Sequence, residues 1–348
     1  MQKVLVTGAA GFVGGWVAES FDLAGIPVRA GVRRWSSASR LVRRKLEVAP
    51  CDVTSVPQLR AAMADCDAVI HCAVGNEEVT VRGTENVLAV AHEMRLERIV
   101  HLSSVAVYGE PTGIVPEDHP RNGSSSAYAL HKISAENICE KYMQLGAPVV
   151  ILRPTIVYGP FGYTWTVSFA HRLFSGKWGT FGKHGDGTCN LVYVTDVVQA
   201  AARALTSDRA VGATFNINGG DIVTWNEYFR RFNAALGQPP LKEQAIWPIA
   251  AKSRLMAPIR AAGRFGLSHC KDWLMSLNAK SALAAQYMRA TESSLKVTPT
   301  AGQLRLFGRK VDYPNYHAKE LLGYQPLVGV SQGVQTAAAW VRQKHLLF

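Results

Sequence analysis

Val4-Leu5-Val6-Thr7-Gly8-Ala9-Ala10-Gly11-Phe12-Val13-Gly14 is the stretch that decides the architecture. The apolar run reads as a strand, and the glycines after it permit a tight turn, close backbone approach and close helix packing. Val13–Ala24 continues at helical spacing, so its first N–H groups and the positive end of its dipole would face an anion such as a pyrophosphate. Similar glycines occur in plain strand–helix turns. The strand before them and the helix after them favour a nucleotide cradle, with Gly8, Gly11, Phe12, Val13 and Gly14 as its contacts.

Outward from the cradle, Val28–Val32, Ala68–His71, Arg98–Leu102, Val149–Leu152 and Thr214–Ile217 are short apolar segments, separated by helical patterns such as Val87–Leu96 and Thr195–Leu205. Alternating strands and helices predict βαβ crossovers and hence an α/β fold, a Rossmann-type doubly wound parallel sheet covered on both faces. The segment 161–189 is rich in glycine and aromatics, and from 218 onward the chain turns helical and basic. The expected division is a dinucleotide-binding domain over 1–160 with a return segment at 190–217. A smaller, mostly helical substrate-binding lobe, partly interleaved, takes 161–189 and 218–348.

The 348 residues are 48% hydrophobic and 18% charged, which excludes wholesale disorder. No run of about 20 apolar residues is present, so a spanning helix is not expected. The chain opens directly as a strand, without the pattern of a signal peptide. Six cysteines (51, 66, 72, 139, 189 and 270) show no CxxC or metal-ligand spacing and read as reduced thiols of a cytoplasmic enzyme without a metal. The net charge of +12 is concentrated. Residues 29–45 carry seven basic residues and no acid, and 241–310 carry 12 basic residues against 3 acidic ones. Two local concentrations point to anionic ligands or an anionic surface rather than to nucleic acid.

The second strand bears on which nucleotide is bound. An NAD site usually has an acid there for the ribose 2′-OH. This chain reads Val28-Arg29-Ala30-Gly31-Val32-Arg33-Arg34, and a guanidinium fork grips a 2′-phosphate. NADP is therefore expected, with Arg33 as first contact and Arg34 beside it; NAD remains possible. Asp52-Val53 would lie beside the adenine, or Asp52 is an ordinary turn residue.

Tyr128-Ala129-Leu130-His131-Lys132 places a phenol and an amine four apart on one helix face. Ser103-Ser104 closes the strand Arg98–Leu102, at the carboxyl end where such sheets hold ligands. A nearby ammonium would favour the phenolate and let Tyr128 exchange a proton with a substrate alcohol or carbonyl. Ser104 would hydrogen-bond the carbonyl oxygen.

The glycine cradle, Ser103-Ser104-Val105-Ala106-Val107-Tyr108-Gly109, Tyr128-x-x-x-Lys132 and Arg153-Pro154-Thr155-Ile156-Val157-Tyr158-Gly159-Pro160 together resemble the extended short-chain dehydrogenase/reductase superfamily. Within it the similarity is to the NAD(P)-dependent epimerase/dehydratase group, including its 3β-hydroxysteroid dehydrogenase-like and dihydroflavonol reductase-like branches. It covers residues 1 to about 235 and resumes near Ala318–Val330. The resemblance implies Ser104, Tyr128 and Lys132 as the catalytic triad. It also implies Lys132 on the nicotinamide ribose, Pro154 near the nicotinamide, Ala73 in the dinucleotide groove, and a dimer.

The departures steer the choice of substrate. Dehydratases of the group carry an Asp-Glu pair where this chain has Val105 and Ala106, and the decarboxylase branch is disfavoured for the same lack of a carboxylate. Sugar-nucleotide epimerases usually carry Asn where Thr155 stands, and often Arg near Cys189. Thr80 replaces an Asn that often supports the active-site water network. Tyr163 and Trp165, with Trp178 and Phe181, would either wall an apolar substrate site or pack the second lobe. Val105 and Thr155 join Ser104 as candidate substrate contacts. The leading expectation is an NADP(H)-dependent oxidoreductase acting on a ketone/secondary-alcohol pair of a ring-bearing, possibly anionic small molecule. The alternatives are a nucleotide-sugar 4-epimerase with tightly bound NAD(P) and a non-catalytic cofactor-binding protein. Residues 246–265 mix apolar and basic side chains, so peripheral membrane contact is a further, less favoured possibility.

Overall fold

The computed structural model describes residues 3–123, 126–251, 253–256, 258 and 297–343. Seven strands form one parallel sheet: β1 (Val4–Thr7), β2 (Val28–Val32), β3 (Glu47–Pro50), β4 (Ala68–His71), β5 (Arg98–Leu102), β7 (Val149–Pro154) and β10 (Thr214–Ile217), in the order β3-β2-β1-β4-β5-β7-β10. The short β6 (Gly113–Ile114) pairs with β11 (Val311–Asp312), and β8 (Ile156–Tyr158) with β9 (Leu191–Tyr193).

Successive strand residues point to opposite faces, and both faces are covered. Val4, Val6, Ala68, Ile70, Val100, Leu102, Val150 and Leu152 pack on one side, where α1 (Phe12–Leu23) and α6 (Val194–Thr206) lie. Leu5, Val69, Ile99, Val149 and Ile151 pack on the other, under α2 (Val56–Met63), α3 (Gly83–Glu93) and α4 (Ala127–Gln144). That two-sided burial is why the strands read as unbroken apolar runs in the sequence. The chain reverses direction across the sheet between β1 and β4, so the loops after β1, β4 and β5 open at one switch point.

Two units are present. The first comprises Met1–Gly162, Asn190–Asp221 and Val311–Gly333. Residues 311–333, expected in the second lobe, thus pack with the first. Ala318, Leu322 and Tyr324 pack in the core of the first unit, and side-chain bonds add to that packing. Asn315 Nδ2 and Tyr324 Oη donate to the Asn218 carbonyl, and Ser207 Oγ donates to the Leu321 carbonyl. Asp196, in the first turn of α6, accepts from the Leu327 and Val328 N–H groups.

The second unit takes Tyr163–Cys189, Ile222–Lys310 and Val334–Phe348. Its described part is built on α5 (Ser168–Phe174), α7 (Trp225–Ala235) and α8 (Ala301–Gly308) around an aromatic cluster. Phe169 stacks on Phe229 at 5.5 Å between ring centroids, and Trp225 lies 4.7 Å from Phe307. Most of the basic block 241–310, and residues 252, 257 and 259–265 of the apolar–basic stretch 246–265, lie outside the described residues.

Candidate active site

The cradle begins at Gly8, whose φ of +66° is strained for any residue with a side chain. A Cβ on Gly8 would lie 2.8 Å from the Ala73 backbone, and one on Gly14 would lie 2.5 Å from the Gly8 carbonyl oxygen. The turn therefore brings α1 and the loop after β4 against bare backbone, the close approach that a dinucleotide phosphate site requires. Ala73 thus packs against the turn after β1. Phe12 and Val13 form the first turn of α1.

Beyond β2, the basic block is mostly engaged inside the first unit. Arg29 pairs with Glu47 and Asp65, Arg40 with Glu19, Arg43 with Glu19, and Arg44 with Asp22. Arg40 also lies over the Phe161 ring, 3.8 Å from its centroid. The block is thus less of an anion site than its charge suggested. Among the described residues, Arg33, Arg34 and Lys45 are its three members without a carboxylate partner, and all three are exposed. Asp52 Oδ1 accepts from the N–H and hydroxyl of Thr54, the geometry of a turn residue. Val53 is buried, and its carbonyl accepts from Asn86 Nδ2.

The candidate catalytic residues Ser104, Tyr128 and Lys132 come together at the end of β5. Ser126 caps α4 by accepting from the Ala129 N–H, which sets Tyr128 in the first helical turn. Ser104 lies beside the Tyr128 phenol, and its Oγ accepts from the Ala106 N–H. Burial of the phenol raises Tyr128 above its ordinary value, and Ser104 works against that rise. Lys132 is buried one turn further along, its Nζ donating to the Leu102 carbonyl at 2.5 Å. Burial lowers it to about 8, so the amine titrates close to neutral pH.

Beneath Lys132 lie two histidines from adjacent strands, His71 and His101, with ring centroids 5.4 Å apart. Thr84 Oγ1 donates to the Thr80 carbonyl, so it accepts from His71 Nε2, which leaves Nδ1 to accept from Thr7 Oγ1. His71 is thereby satisfied as a neutral ring, and burial holds it at about 3. His101 is buried too, and neither of its ring nitrogens has a hydrogen-bond partner among the described residues.

The remaining candidates separate. Pro154 ends β7. Thr155 directs its hydroxyl into the fold, onto the Ile217 carbonyl and Asn218 Oδ1, an internal bond rather than a free substrate contact. Val105 opens a short helical turn directly after Ser104. Trp165 packs on Phe169 and Trp225 in the second unit, and Trp178 and Phe181 join that cluster, so these three rings serve packing. Tyr163 opens the second unit and is largely exposed. Cys189 is fully buried. Cys51, Cys66, Cys72, Cys139 and Cys189 are free thiols, and no metal-binding cluster occurs among the described residues.

One group was missed from the sequence. Glu136 is fully buried and gathers Ser103 Oγ at 2.5 Å, Arg153 Nε at 2.9 Å and Nη2 at 2.7 Å, and Arg121 Nη1 at 3.1 Å. Its signal was present in the spacing: Tyr128, Lys132 and Glu136 repeat every four residues on one helix.

A parallel sheet of order 3-2-1-4-5, a glycine cradle after its first strand and a Ser–Tyr–Lys set after its fifth define a nicotinamide-nucleotide enzyme of the extended short-chain dehydrogenase/reductase type. The chain belongs to the NAD dependent epimerase/dehydratase family, which it matches over residues 4–218. It is 28% identical over 215 residues to the 4-hydroxy-2-methyl-3-oxo-4-farnesyl-3,4-dihydroquinoline-1-oxide ketoreductase of Stigmatella aurantiaca, a match covering 58% of this chain and 64% of that protein. It therefore spans just under two thirds of that relative's length. To the UDP-glucose 4-epimerase of Vibrio cholerae it is 24% identical over 298 residues, covering 78% of this chain and 90% of the epimerase. It shares its fold with the Bacillus cereus UDP-glucuronic acid 4-epimerase in complex with NAD, at 19% identity, TM-score 0.72 and 99% coverage of both chains. No described helix is long and apolar enough to cross a membrane.

Proposed function

We propose that this protein is an NADP(H)-dependent oxidoreductase that interconverts a ketone and a secondary alcohol on a ring-bearing small molecule. The observation that carries the reading is the Tyr128 phenol beside Ser104, which follows β5, with Lys132 buried one helical turn further on and held by the Leu102 carbonyl. A bound nicotinamide supplies or accepts the hydride. Tyr128 Oη gives the proton to the carbonyl oxygen in reduction and takes it back in oxidation, while the Ser104 hydroxyl donates to the same oxygen. The Lys132 ammonium stabilises the phenolate and holds ribose hydroxyls. Val105 and Ala106 offer no carboxylate for water elimination or decarboxylation.

Exposed Arg33 and Arg34, without carboxylate partners among the described residues, support the choice of NADP over NAD. The ketoreductase relative, named for an oxo group on a dihydroquinoline ring, supports a ring-bearing substrate. On this reading the protein works in the cytoplasm as a homodimer, and its basic second lobe favours an anionic substrate. A second reading, a sugar-nucleotide 4-epimerase, is favoured by the long match to the Vibrio enzyme. Purified protein given NADPH and a panel of cyclic ketones tests the choice. Consumption of one NADPH per alcohol formed supports the reductase; interconversion of UDP-sugars with a retained nucleotide and no net consumption supports the epimerase.

A further inference from the structure

A second glycine-bearing turn packs on the helix of the cradle. Gly159-Pro160-Phe161-Gly162 follows β8, and the Gly162 N–H closes the turn onto the Gly159 carbonyl at 3.0 Å. Phe161 sits third in that turn with a φ of +69°, a place that glycine or asparagine usually takes. A phenylalanine held there against backbone preference points to a task for its ring.

The ring meets a cation. Arg40, from the short helical segment Trp35–Arg43 after β2, lies with its guanidinium 3.8 Å from the Phe161 ring centroid. The same guanidinium donates to Glu19 through Nε at 3.1 Å and Nη2 at 2.6 Å, and to the Phe12 carbonyl through Nη1 at 3.4 Å. Arg43 also reaches Glu19 and lies 5.4 Å from the Phe161 ring. Beside them Trp16 Nε1 donates to the Pro160 carbonyl at 2.8 Å. Glycines make the room: a Cβ on Gly15 would lie 2.9 Å from Arg40 Nη1, and one on Gly162 would lie 2.9 Å from the Phe12 ring.

Phe12, Trp16 and Glu19 thus form one stripe of α1, to which both the segment after β2 and the turn after β8 are fastened. α1 runs from β1 to β2, on one side of the switch point; the chain that makes the turn arrives from β7, on the other. A dinucleotide of this fold lies in the crevice at the switch point, its pyrophosphate at the first turn of α1. The Arg40–Phe161 contact therefore ties the two sides of that crevice together at the helical turn expected to hold the pyrophosphate.

We propose that Arg40 and Phe161 form a clasp through which the nucleotide must pass to enter and leave the cradle. The proposal rests on the nucleotide-binding function proposed above. Both are positioning residues that read no part of the nucleotide, so loosening the clasp speeds entry and exit alike. A reductase must release its nucleotide at every turnover, and the clasp sets how fast that exchange runs.

The test is stopped-flow NADPH fluorescence on the full chain, giving association and dissociation rate constants for the wild type, Phe161→Leu, Phe161→Tyr, Arg40→Met and Phe161→Leu/Arg40→Met. Phe161→Leu and Arg40→Met each raise both constants about tenfold and change Kd by less than about twofold; tenfold corresponds to about 1.4 kcal/mol, the size of one partly desolvated cation–π contact. Phe161→Tyr keeps the wild-type rates. The double variant is no faster than the single ones, because each already opens the same clasp. NADH shows the same acceleration as NADPH, since the clasp does not read the 2′-phosphate.

Should Phe161→Leu fail to fold, Phe161→Gly suits the positive φ and removes the same ring. Wild-type rates in Arg40→Met and in the Phe161 variant overturn the proposal. So does a loss of NADPH affinity in Arg40→Met with NADH unaffected, which would make Arg40 a phosphate ligand instead. A wild type that bound neither nucleotide would overturn the functional reading and the clasp with it, whereas a wild type that binds both at rates indifferent to these substitutions overturns the clasp alone.

Discussion

Arg33 and Arg34 are available to a ligand because their neighbours are not. Arg29, Arg40, Arg43 and Arg44 hold carboxylates on β3, α1 and the turn after α2, leaving two consecutive guanidinium groups exposed after β2. Arg33→Ala should weaken NADPH binding by roughly tenfold to a hundredfold, the 1.5–3 kcal/mol range of a hydrogen bond to a charged group, and leave NADH nearly unchanged. Parallel fluorescence titrations of the two nucleotides check it. Lys132 gives a pH signature. Its folded value of about 8 lies below the ordinary 10.5. Below pH 8 both states bind the proton and the native state carries a buried charge. Between about 8 and 10.5 the unfolded chain binds a proton that the native chain does not, so this amine's contribution to stability rises across that window. Lys132→Met should accordingly exceed the wild type in melting temperature most below pH 8, with the gap closing toward pH 10.5.

At the scale of elements, the turn from β1 into α1 is the least tolerant part of the fold. Gly8→Ala forces a side chain into positive φ and against the Ala73 backbone. A loss of about 1–3 kcal/mol in urea unfolding is expected, together with loss of nucleotide binding. This element was legible from the sequence, as were β2, β4, β5 and β10, because strands buried on both faces must be continuous apolar runs. Tyr128 and Lys132 were legible because helical spacing fixes a shared face. Glu136 was not, since an acid in a helix usually meets water, and only tertiary packing brings Ser103 and Arg153 to it. Residues 311–333 were misplaced for a related reason: β11 is two residues long, and the partners of the rest, Asp196, Ser207, Asn218 and the core around Ala318 and Leu322, come from distant segments. The aromatics at 165, 178 and 181 fit a substrate wall and a core equally well by composition; which neighbours they meet decides, and those neighbours come from distant segments.

For the whole molecule, the charge of +12 no longer describes one surface. Part of it is neutralised pairwise inside the first unit, part stands ready at Arg33 and Arg34, and the block 241–310 falls largely outside the described residues. The second unit depends on rings rather than on a sheet. Phe169 touches Trp165, Trp178, Trp225, Tyr228, Phe229 and Phe307, so Phe169→Ala should cost about 3–5 kcal/mol in chemical denaturation. The account as a whole stands on proton transfer by Tyr128. Its most direct test is NADPH oxidation with cyclic ketones by the wild type and by Tyr128→Phe, alongside NADPH binding to each. The expected result is turnover lowered by about 10²–10⁴-fold with binding retained; turnover equal to the wild type in Tyr128→Phe would contradict it.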